Sequence, residues 1–261
     1  GFALVTFIAV VLPVSGLLWP IVSGAWRLLM NAAVHPRDIS QQEHLVLVLL
    51  AALATAGRTA LNSVLYAGGA GLVATALGFA LALAVGRNIR LRSVALAVAV
   101  TLFAWPPIAS ALGMVGAAAA LPAWLDPLVR SRLTVCAVLG LRLFPVSAVL
   151  GLRAWGATSP SRVHAAAVHG VSLWRCLRHI VWPALRASAA YSFVLVSLIA
   201  SAEVGSVLLL HPPGESSLPL TIFTVMANAP ELTVSSLAMV YLIAASALLL
   251  ATLRFAPGVE P

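Results

Sequence analysis

Long apolar runs constrain the fold of this chain more than any other feature. Residues 60–85, 93–119 and 133–152 form runs that approach or exceed about 20 residues, the length at which an α-helix crosses about 30 Å of hydrocarbon. The alternating pattern of a closed barrel, the other structure that can span a bilayer, is absent from the sequence. Because only 8% of the residues are charged, against about 25% in soluble domains, we predict an all-α polytopic membrane protein.

About six transmembrane helices are expected, at residues 2–25, 60–85, 93–119, 133–152, 187–209 and 236–255. A further apolar run at 45–56 is too short to cross a bilayer, which favours an interfacial or re-entrant helix. The spans divide the chain into a first transmembrane helix with its outer loop (1–57), the main transmembrane domain (58–255) and a C-terminal tail (256–261).

Two features inside the predicted spans bear on helix packing. Gly71, Thr75 and Gly78 lie among alanines, and small residues at such spacings allow two helix backbones to approach closely. Pro106 and Pro107 must kink or break the third span, because an interior proline removes a backbone hydrogen bond and clashes with the preceding turn. Broken membrane helices often line a pathway, although packing alone explains a kink equally well.

The basic charge of the chain is interpreted as a topology signal rather than as a sign of nucleic-acid binding. The net charge of +8 comes from arginine alone, since the sequence has no lysine. The side of the membrane with more arginines is expected to be cytoplasmic, with both termini on it. Nine arginines share this side, against five on the other: Arg87, Arg90, Arg92, Arg153, Arg162, Arg175, Arg178, Arg186 and Arg254. Cys136 and Cys176 then lie near opposite faces, which excludes a disulfide between them.

The predicted cytoplasmic segment, residues 153–186, carries the signals of two short helices. Ser159 suits the N-cap of the first, and Pro160 suits its first turn. Gly170 suits the left-handed position that follows a helix end. Ser172 is then the expected N-cap of the second helix.

The second of these helices is predicted to be amphipathic and to kink at Pro183 as it enters the fifth span. Its apolar side is expected to hold Leu173, Leu177, Ile180, Val181 and Leu185, and its basic side Arg175, Arg178, His179 and Arg186. Ala165, Ala166 and Gly170 would leave a smooth knob for a groove on a soluble partner. From the residues alone, an interfacial loop that neutralises anionic lipid headgroups is an equally good interpretation.

The same segment resembles the cytoplasmic signature of permease subunits of bacterial binding-protein-dependent ABC importers. That signature reads Glu-Ala-Ala, three residues, Gly, nine residues, Ile, one residue, Leu-Pro. The chain departs from it at two positions, with His164 in place of Glu and Trp182 in place of Leu. It matches the signature at Ala165, Ala166, Gly170, Ile180 and Pro183.

The resemblance implies the type I importer fold and an ATPase-coupling role for His164 and the five matching residues. In that family the loop docks on cytoplasmic ATP-binding cassette subunits, and two permease subunits or halves receive substrate from an external binding protein. The chain has no phosphate-binding GxxxxGK[ST] motif. ATP is therefore expected on the partner subunit, with no cofactor or enzymatic activity in this chain, which the resemblance places in the bacterial inner membrane.

A second resemblance narrows the subclass. Residues 141–156 and 201–231 are similar to permeases of the iron(III) type, a group that also includes importers of thiamine and of phosphonates. With the signature, the resemblance covers roughly residues 58–255. It implies ferric iron as one candidate cargo. The outer loop at 211–235 is expected to form an interfacial helix over LPLTIFTVMA and to face the binding protein.

Two ionisable residues fall inside predicted spans, Arg142 in the fourth and Glu203 in the fifth. Charges within a membrane usually face the bundle interior or a cavity. Arg142 and Glu203 are therefore candidates for the translocation path. A structural ion pair between the two spans is the favoured alternative, because buried charges readily neutralise each other.

Other functions are less well supported by the sequence. A secondary transporter typically has internal inverted repeats, and no convincing repeat is present. A membrane enzyme would need a catalytic constellation within the spans, and none is found. The histidines lack metal-ligand spacing, so no metal site is predicted; His211, beside Pro212 and Pro213, is assigned to a turn.

Overall fold

The computed structural model describes the backbone of residues 39–228 and 231–255, together with the single positions 19, 22, 23 and 26. Side chains are described in these ranges except at 39–56, 123, 231–233, 236 and 251–255. The described residues are helical, with no strand among them, which confirms the all-α class. Apart from the single positions, the first predicted span at 2–25 lies outside the described residues, as does the tail at 256–261.

The helices follow one another in a simple order. Two short turns accompany the α-helices: a 3₁₀ turn at Ala123–Leu125 and a π-helical turn at Leu177–Val181. In chain order the described helices are α1 (Ile39–Val85), α2 (Ile89–Phe103), α3 (Pro107–Ala120), α4 (Asp126–Val129), α5 (Arg132–Ala157), α6 (Pro160–Val168), α7 (Leu173–Ser201), α8 (Gly205–Leu210), α9 (Leu218–Val225) and α10 (Glu231–Phe255).

Three stretches of the described chain are long and apolar enough to cross a membrane: Gly57–Val85 in α1, α5 and α7. The α2–α3 pair is a fourth if it counts as one span, and its two helices are bent by 85° at the break before Pro107. The predicted break at Pro106–Pro107 is therefore confirmed. These three or four helices are compatible with a membrane protein, and six spans are not seen within the described residues.

The apolar run at 45–56 does not form a separate short helix, in contrast to the prediction. It belongs to α1, which continues unbroken from Ile39 to Val85. The sequence at this point offers no proline to end the helix. Gly57 alone costs only about 1 kcal/mol relative to alanine within a helix, so the helix continues through it.

Two other span boundaries differ from the predicted ones. The expected span at 187–209 is divided in the structure. Its first part belongs to a longer helix, Leu173–Ser201, and its last part lies in a separate short helix, α8. The expected span at 236–255 lies within α10, whose described apolar stretch, Leu237–Leu250, is shorter than a full span.

The chain forms two compact units. The first comprises Gly1–Ser63 and Glu215–Ala245, and the second comprises Val64–Gly214 and Ser246–Pro261. The division at residues 57 and 255 concerns membrane spans and stays a prediction.

Within the first unit, hydrogen bonds fix the start of α9 to the end of this unit's part of α1. The Ser63 hydroxyl accepts from the Leu218 amide at 2.6 Å, and the Asn62 side chain donates to the Ser216 carbonyl at 3.2 Å. The Ser217 hydroxyl caps α9 by accepting from a backbone amide of its first turn. A helix is thus present where one was predicted in the outer loop, and its first turn is buried.

The core of the second unit is built around α5, the most deeply buried of the three long apolar helices. Small residues bring its neighbours close, as the sequence predicted. A Cβ on Gly78 would lie 2.5 Å from the Ala148 backbone nitrogen, and a Cβ on Gly140 would lie 2.6 Å from the Val73 side chain. The close approach of α1 and α5 therefore depends on glycine at these positions.

A buried hydrogen bond joins α5 to α7. The Ser192 hydroxyl of α7 donates to the Ser147 hydroxyl of α5 at 2.9 Å, and both residues are fully buried. Between apolar helices such bonds add about 1 kcal/mol to association. Within this unit, α1, α5 and α7 thus pack against one another.

Candidate functional site

The helix α6 ends as the sequence predicted. Gly170 is left-handed, with φ +67°. The Val171 amide donates to the Ala166 carbonyl at 3.0 Å and the Gly170 amide to the Ala167 carbonyl at 3.1 Å. This pair of bonds is the Schellman arrangement that closes a helix on a glycine. The turn after α6 is therefore set by local chemistry.

The N-terminus of α6 lacks a side-chain capping bond. Ser159 is the N-cap residue, as predicted, and Pro160 is the first helical residue. The Ser159 hydroxyl pairs with the Ser161 hydroxyl at 2.6 Å and makes no bond to a backbone amide of the first turn. Ser172 likewise occupies the N-cap position of α7 without a side-chain capping bond. Both positions match the prediction, while the capping bonds do not form.

The predicted knob is smaller than the sequence indicated, because Ala166 faces inward. Ala166 is only 6% exposed and packs in an apolar cluster with Cys176, Val181 and Leu185. Ala165, Gly170 and His164 remain exposed. Burial of Ala166 follows from the way α6 folds back onto α7, which the spacing of α6 alone does not reveal.

Pro183 is accommodated without a break in α7. Because proline has no N–H and clashes with the carbonyl four residues before it, a kink is predicted at this position. A π-helical turn at Leu177–Val181 widens the helix just before it, and the Trp182 amide donates to the Leu177 carbonyl, five residues back. Such π turns are frequent at functional sites.

The amphipathic pattern of α7 is confirmed in most positions. Val181 and Leu185 are buried, and Leu177 and Ile180 are half-buried. The exception is Leu173, which is 84% exposed at the first position of α7. The four basic residues of the opposite side are all exposed: Arg175, Arg178, His179 and Arg186.

An open groove of about 560 Å³ runs between α6 and α7. Three basic side chains line it, and the sequence has no Asp or Glu between Asp126 and Glu203. Its remaining lining is apolar and small. The residues that line this coupling groove are Arg162, Ala165, Ala166, His169, Val171, His179, Ile180, Pro183 and Ala184.

Four of the six candidate coupling residues therefore share one surface. Ala165, Ala166, Ile180 and Pro183 line the coupling groove, while His164 and Gly170 do not. Around α6, His164 lies about 100° from Ala165 in the direction opposite to Ala166, which turns it away from the groove. Gly170 contributes through the turn that it makes possible. The structure thus gives most of the signature positions a common location.

Two arginines that the sequence interpretation assigned only to topology hold the end of α5. Arg87 donates to the Thr158 carbonyl and stacks over Trp155, with 5.4 Å from its guanidinium carbon to the ring centroid. Arg92 donates to the Leu152 carbonyl at 3.2 Å. Cations at a helix C-terminus satisfy its free carbonyls and favour its dipole. The loop between α1 and α2 is thereby fixed to the residues that lead into α6.

Arg142 of α5 and Glu203 form an ion pair, although Glu203 lies two residues after the end of α7 and not within a span as predicted. Nη1 of Arg142 lies 2.6 Å from Oε2 of Glu203, and their side chains are 14% and 13% exposed. Within the described residues, Nε of Arg142 is buried without a hydrogen-bond partner. The sequence singled out both residues, and the structure brings them together.

The ion pair sits beside both helix breaks of the second unit. The Ser206 hydroxyl lies 3.2 Å from Oε1 of Glu203 and 3.2 Å from the Pro107 carbonyl. Pro107 begins α3 at the 85° bend, and Ser206 is in the first turn of α8, just after α7 ends. One hydroxyl therefore connects the charge pair to two interrupted helices. Sequence interpretation missed Ser206, whose only signal is its position three residues after Glu203.

Metal-ligand chemistry is not supported by the described side chains. No group of three or more His, Cys, Asp or Glu among them could hold a metal ion. Cys136 and Cys176 are both free. His211 places Nδ1 at 3.1 Å from the Val207 and Leu208 carbonyls, which agrees with a local role at the end of α8.

Comparison with known proteins adds no assignment to these two regions. No protein-family model matches the chain. A search of curated proteins likewise gave no significant match.

Proposed function

We propose that this chain is the permease subunit of an ATP-driven ABC importer of the type I fold. The observation that carries the proposal is the coupling groove, where four signature residues share a surface beside a glycine-ended helix. The chain has no nucleotide-binding motif of its own, so in this proposal ATP is bound by a partner subunit. The groove and the α6 knob would dock on a cytoplasmic ATP-binding cassette subunit.

A continuous helix that runs from the coupling groove towards the ion pair supports this role. The helix that forms one wall of the groove, α7, continues to Ser201, two residues before Glu203. Displacement of α6 by a partner would therefore act on α7 and, at its far end, on the ion pair and the α2–α3 bend. In this account Arg142 and Glu203 hold the resting arrangement of the two broken helices along the translocation path.

The complete assembly follows from the same resemblance. It would contain two permease subunits or halves, a pair of ATP-binding subunits and an external substrate-binding protein, in the bacterial inner membrane with both termini cytoplasmic. Ferric iron is the first cargo to test, followed by thiamine and phosphonates. ATP hydrolysis would occur on the partner, so this chain would be a transport subunit and not an enzyme.

The docking surface can be tested with a matched pair of substitutions on α6. Ala165 lines the coupling groove, whereas Ala167 is exposed and about 200° away around the same helix. Ala165→Arg is expected to prevent co-purification of the ATP-binding subunit, and Ala167→Arg to leave it intact. Equal retention of the ATP-binding subunit by both variants would argue against docking in this groove.

A secondary transporter is the second candidate. The observation that favours it is the pair of interrupted helices beside an intramembrane charge pair, since broken helices surround the binding sites of many such transporters. Uptake into vesicles distinguishes the two candidates. A secondary transporter would respond to an ion gradient in the absence of ATP, whereas the proposed importer would require ATP.

A further inference from the structure

A second groove lies on the other side of α7 from the coupling groove. It has a volume of about 380 Å³ and an almost wholly apolar lining. Two of its residues come from the last two turns of α1, and the others come from the first part of α7. The lining residues are Phe79, Leu83, Trp174, Leu177, Arg178, Val181, Trp182 and Leu185.

Two tryptophans flank this groove and are largely exposed. The Trp174 side chain is 69% exposed and that of Trp182 is 58% exposed. They are eight residues apart, which places them on one side of a helix about two turns apart. Tryptophan is enriched where membrane helices meet water, because its ring is apolar and its N–H is polar. The pair is therefore typical of an interfacial position.

The end of α1 also places the groove at the boundary between membrane and water. Phe79 and Leu83 precede the end of α1 at Val85 by at most two turns, and the polar loop with Arg87 follows at once. The apolar wall of the groove therefore extends to the point where the apolar stretch of α1 ends and the polar loop begins. A ligand in this groove would lie half among apolar side chains and half at a polar surface.

The charge at the open side of the groove is positive. Arg178 lines the groove and is exposed, with Arg175 also exposed one turn earlier. As the sequence has no acidic residue between Asp126 and Glu203, no carboxylate of this segment competes for Arg178. Arginine binds phosphate by charge-assisted and often bidentate hydrogen bonds. The preferred ligand is an amphiphile with a phosphate group.

We propose that this groove binds one anionic phospholipid. Its acyl chain would lie against Phe79, Leu83 and Leu185, and its phosphate would pair with Arg178 between the two tryptophans. The groove would hold part of one acyl chain and leave the rest of the lipid outside it, whereas a helix of about 10 Å diameter needs a wider surface. The inference requires only that α1 and α7 span a membrane and is independent of the proposed function.

Native mass spectrometry of the full chain in detergent tests the proposal. The probes are phosphatidylglycerol and phosphatidylcholine with identical acyl chains. Wild type is expected to retain phosphatidylglycerol at least fivefold better, about the effect of one arginine near an anionic surface. Arg178→Gln should remove this preference, because the loss of binding is expected to be larger for anionic phosphatidylglycerol than for zwitterionic phosphatidylcholine. Arg162→Gln, in the coupling groove, is the matched control and should keep it.

The tryptophans provide the second arm of the experiment. Joint Trp174→Ala and Trp182→Ala substitution should weaken binding of both lipids, and joint replacement by Phe should restore most of it. An unchanged melting temperature without lipid shows that these variants are folded. If the double Ala variant unfolds, the Arg178→Gln result alone tests the proposal.

Three results would overturn the proposal. The first is equal retention of the two lipids by wild type. The second is displacement of the bound lipid by millimolar glycerol phosphate alone, which would identify a soluble phosphate site. The third is a concentration-dependent dimer that forms without bound lipid and is lost in the Trp-to-Ala pair, which would make the groove a contact with a second copy.

Discussion

Arg142 and Glu203 lie 61 positions apart in the sequence and meet across 2.6 Å, one from the middle of α5 and the other just after the end of α7. Their side chains are largely removed from the surface. The Ser206 hydroxyl extends this contact to the Pro107 carbonyl at the bend between α2 and α3. The pair is therefore the point at which three helical segments of the second unit are held together.

Removing one partner of this pair should destabilise the protein strongly. Arg142→Leu leaves Glu203 as an unpaired buried carboxylate, and the expected loss is about 3–5 kcal/mol in the free energy of unfolding. Arg142→Leu combined with Glu203→Leu should recover most of it, because no charge is left unpaired. Thermal unfolding in detergent measures both effects.

Transport by the same variants separates the two roles proposed for the pair. If the double variant regains the transport lost in the single ones, the pair is structural. If stability returns while transport does not, the charges themselves take part in translocation. Full stability of Arg142→Leu alone would contradict the ion pair.

Ser206→Ala should cost about 1 kcal/mol, because the contact with Glu203 and the bond to the Pro107 carbonyl are lost. Ser110→Ala is the matched control. Its hydroxyl donates to the same Pro107 carbonyl at 2.7 Å, but from within α3. The control should change the melting temperature less, since it leaves the connection between the helices intact. A larger effect in the control would show that Ser206 does not connect them.

Gly78→Ala should lower stability by about 1–3 kcal/mol, the typical cost of overpacking. The added Cβ would meet the backbone of α5 near Ala148 at 2.5 Å, where no flexible side chain can move away. Gly113→Ala is the control in α3, because nothing lies within 4 Å of its Cβ position. The control should be neutral or stabilising, since alanine is the better helix former. Similar melting temperatures for the two variants would be incompatible with the close packing of α1 on α5.

Arg87→Gln should loosen the entry into α6. It removes the bond to the Thr158 carbonyl and the stacking on Trp155, with an expected loss of about 1 kcal/mol at this solvent-accessible site. Arg90→Gln, exposed in the first turn of α2, should have little effect. Faster protease cleavage between α5 and α6 in the first variant alone would be the expected result, and equal cleavage rates would count against the contact.

Local chemistry explains which features could be predicted from the sequence. Gly170 ends α6 because a left-handed turn favours glycine, and the third span breaks at Pro107 because proline cannot continue the hydrogen-bond ladder. Arg142 and Glu203 were identifiable because charges within long apolar runs of the sequence need partners.

The features that the sequence did not reveal depend on neighbours distant in the chain. Ala166 is buried because α6 packs back on α7, and helix periodicity cannot show which neighbour covers which face. The end of α7 at Ser201 carries no proline signal. The continuity of α7 past Pro183 depends on the π-helical turn, for which no sequence rule was available.

ATP hydrolysis by the purified complex in proteoliposomes tests the central claim most directly. We predict that the ATP-binding subunit co-purifies with the wild-type chain, and that its hydrolysis rate in the complex falls to the rate of the isolated subunit when Ala165→Arg is introduced. Ala167→Arg should leave the rate unchanged. The account would be contradicted if the chain purified without an ATP-binding subunit and drove uptake from an ion gradient alone.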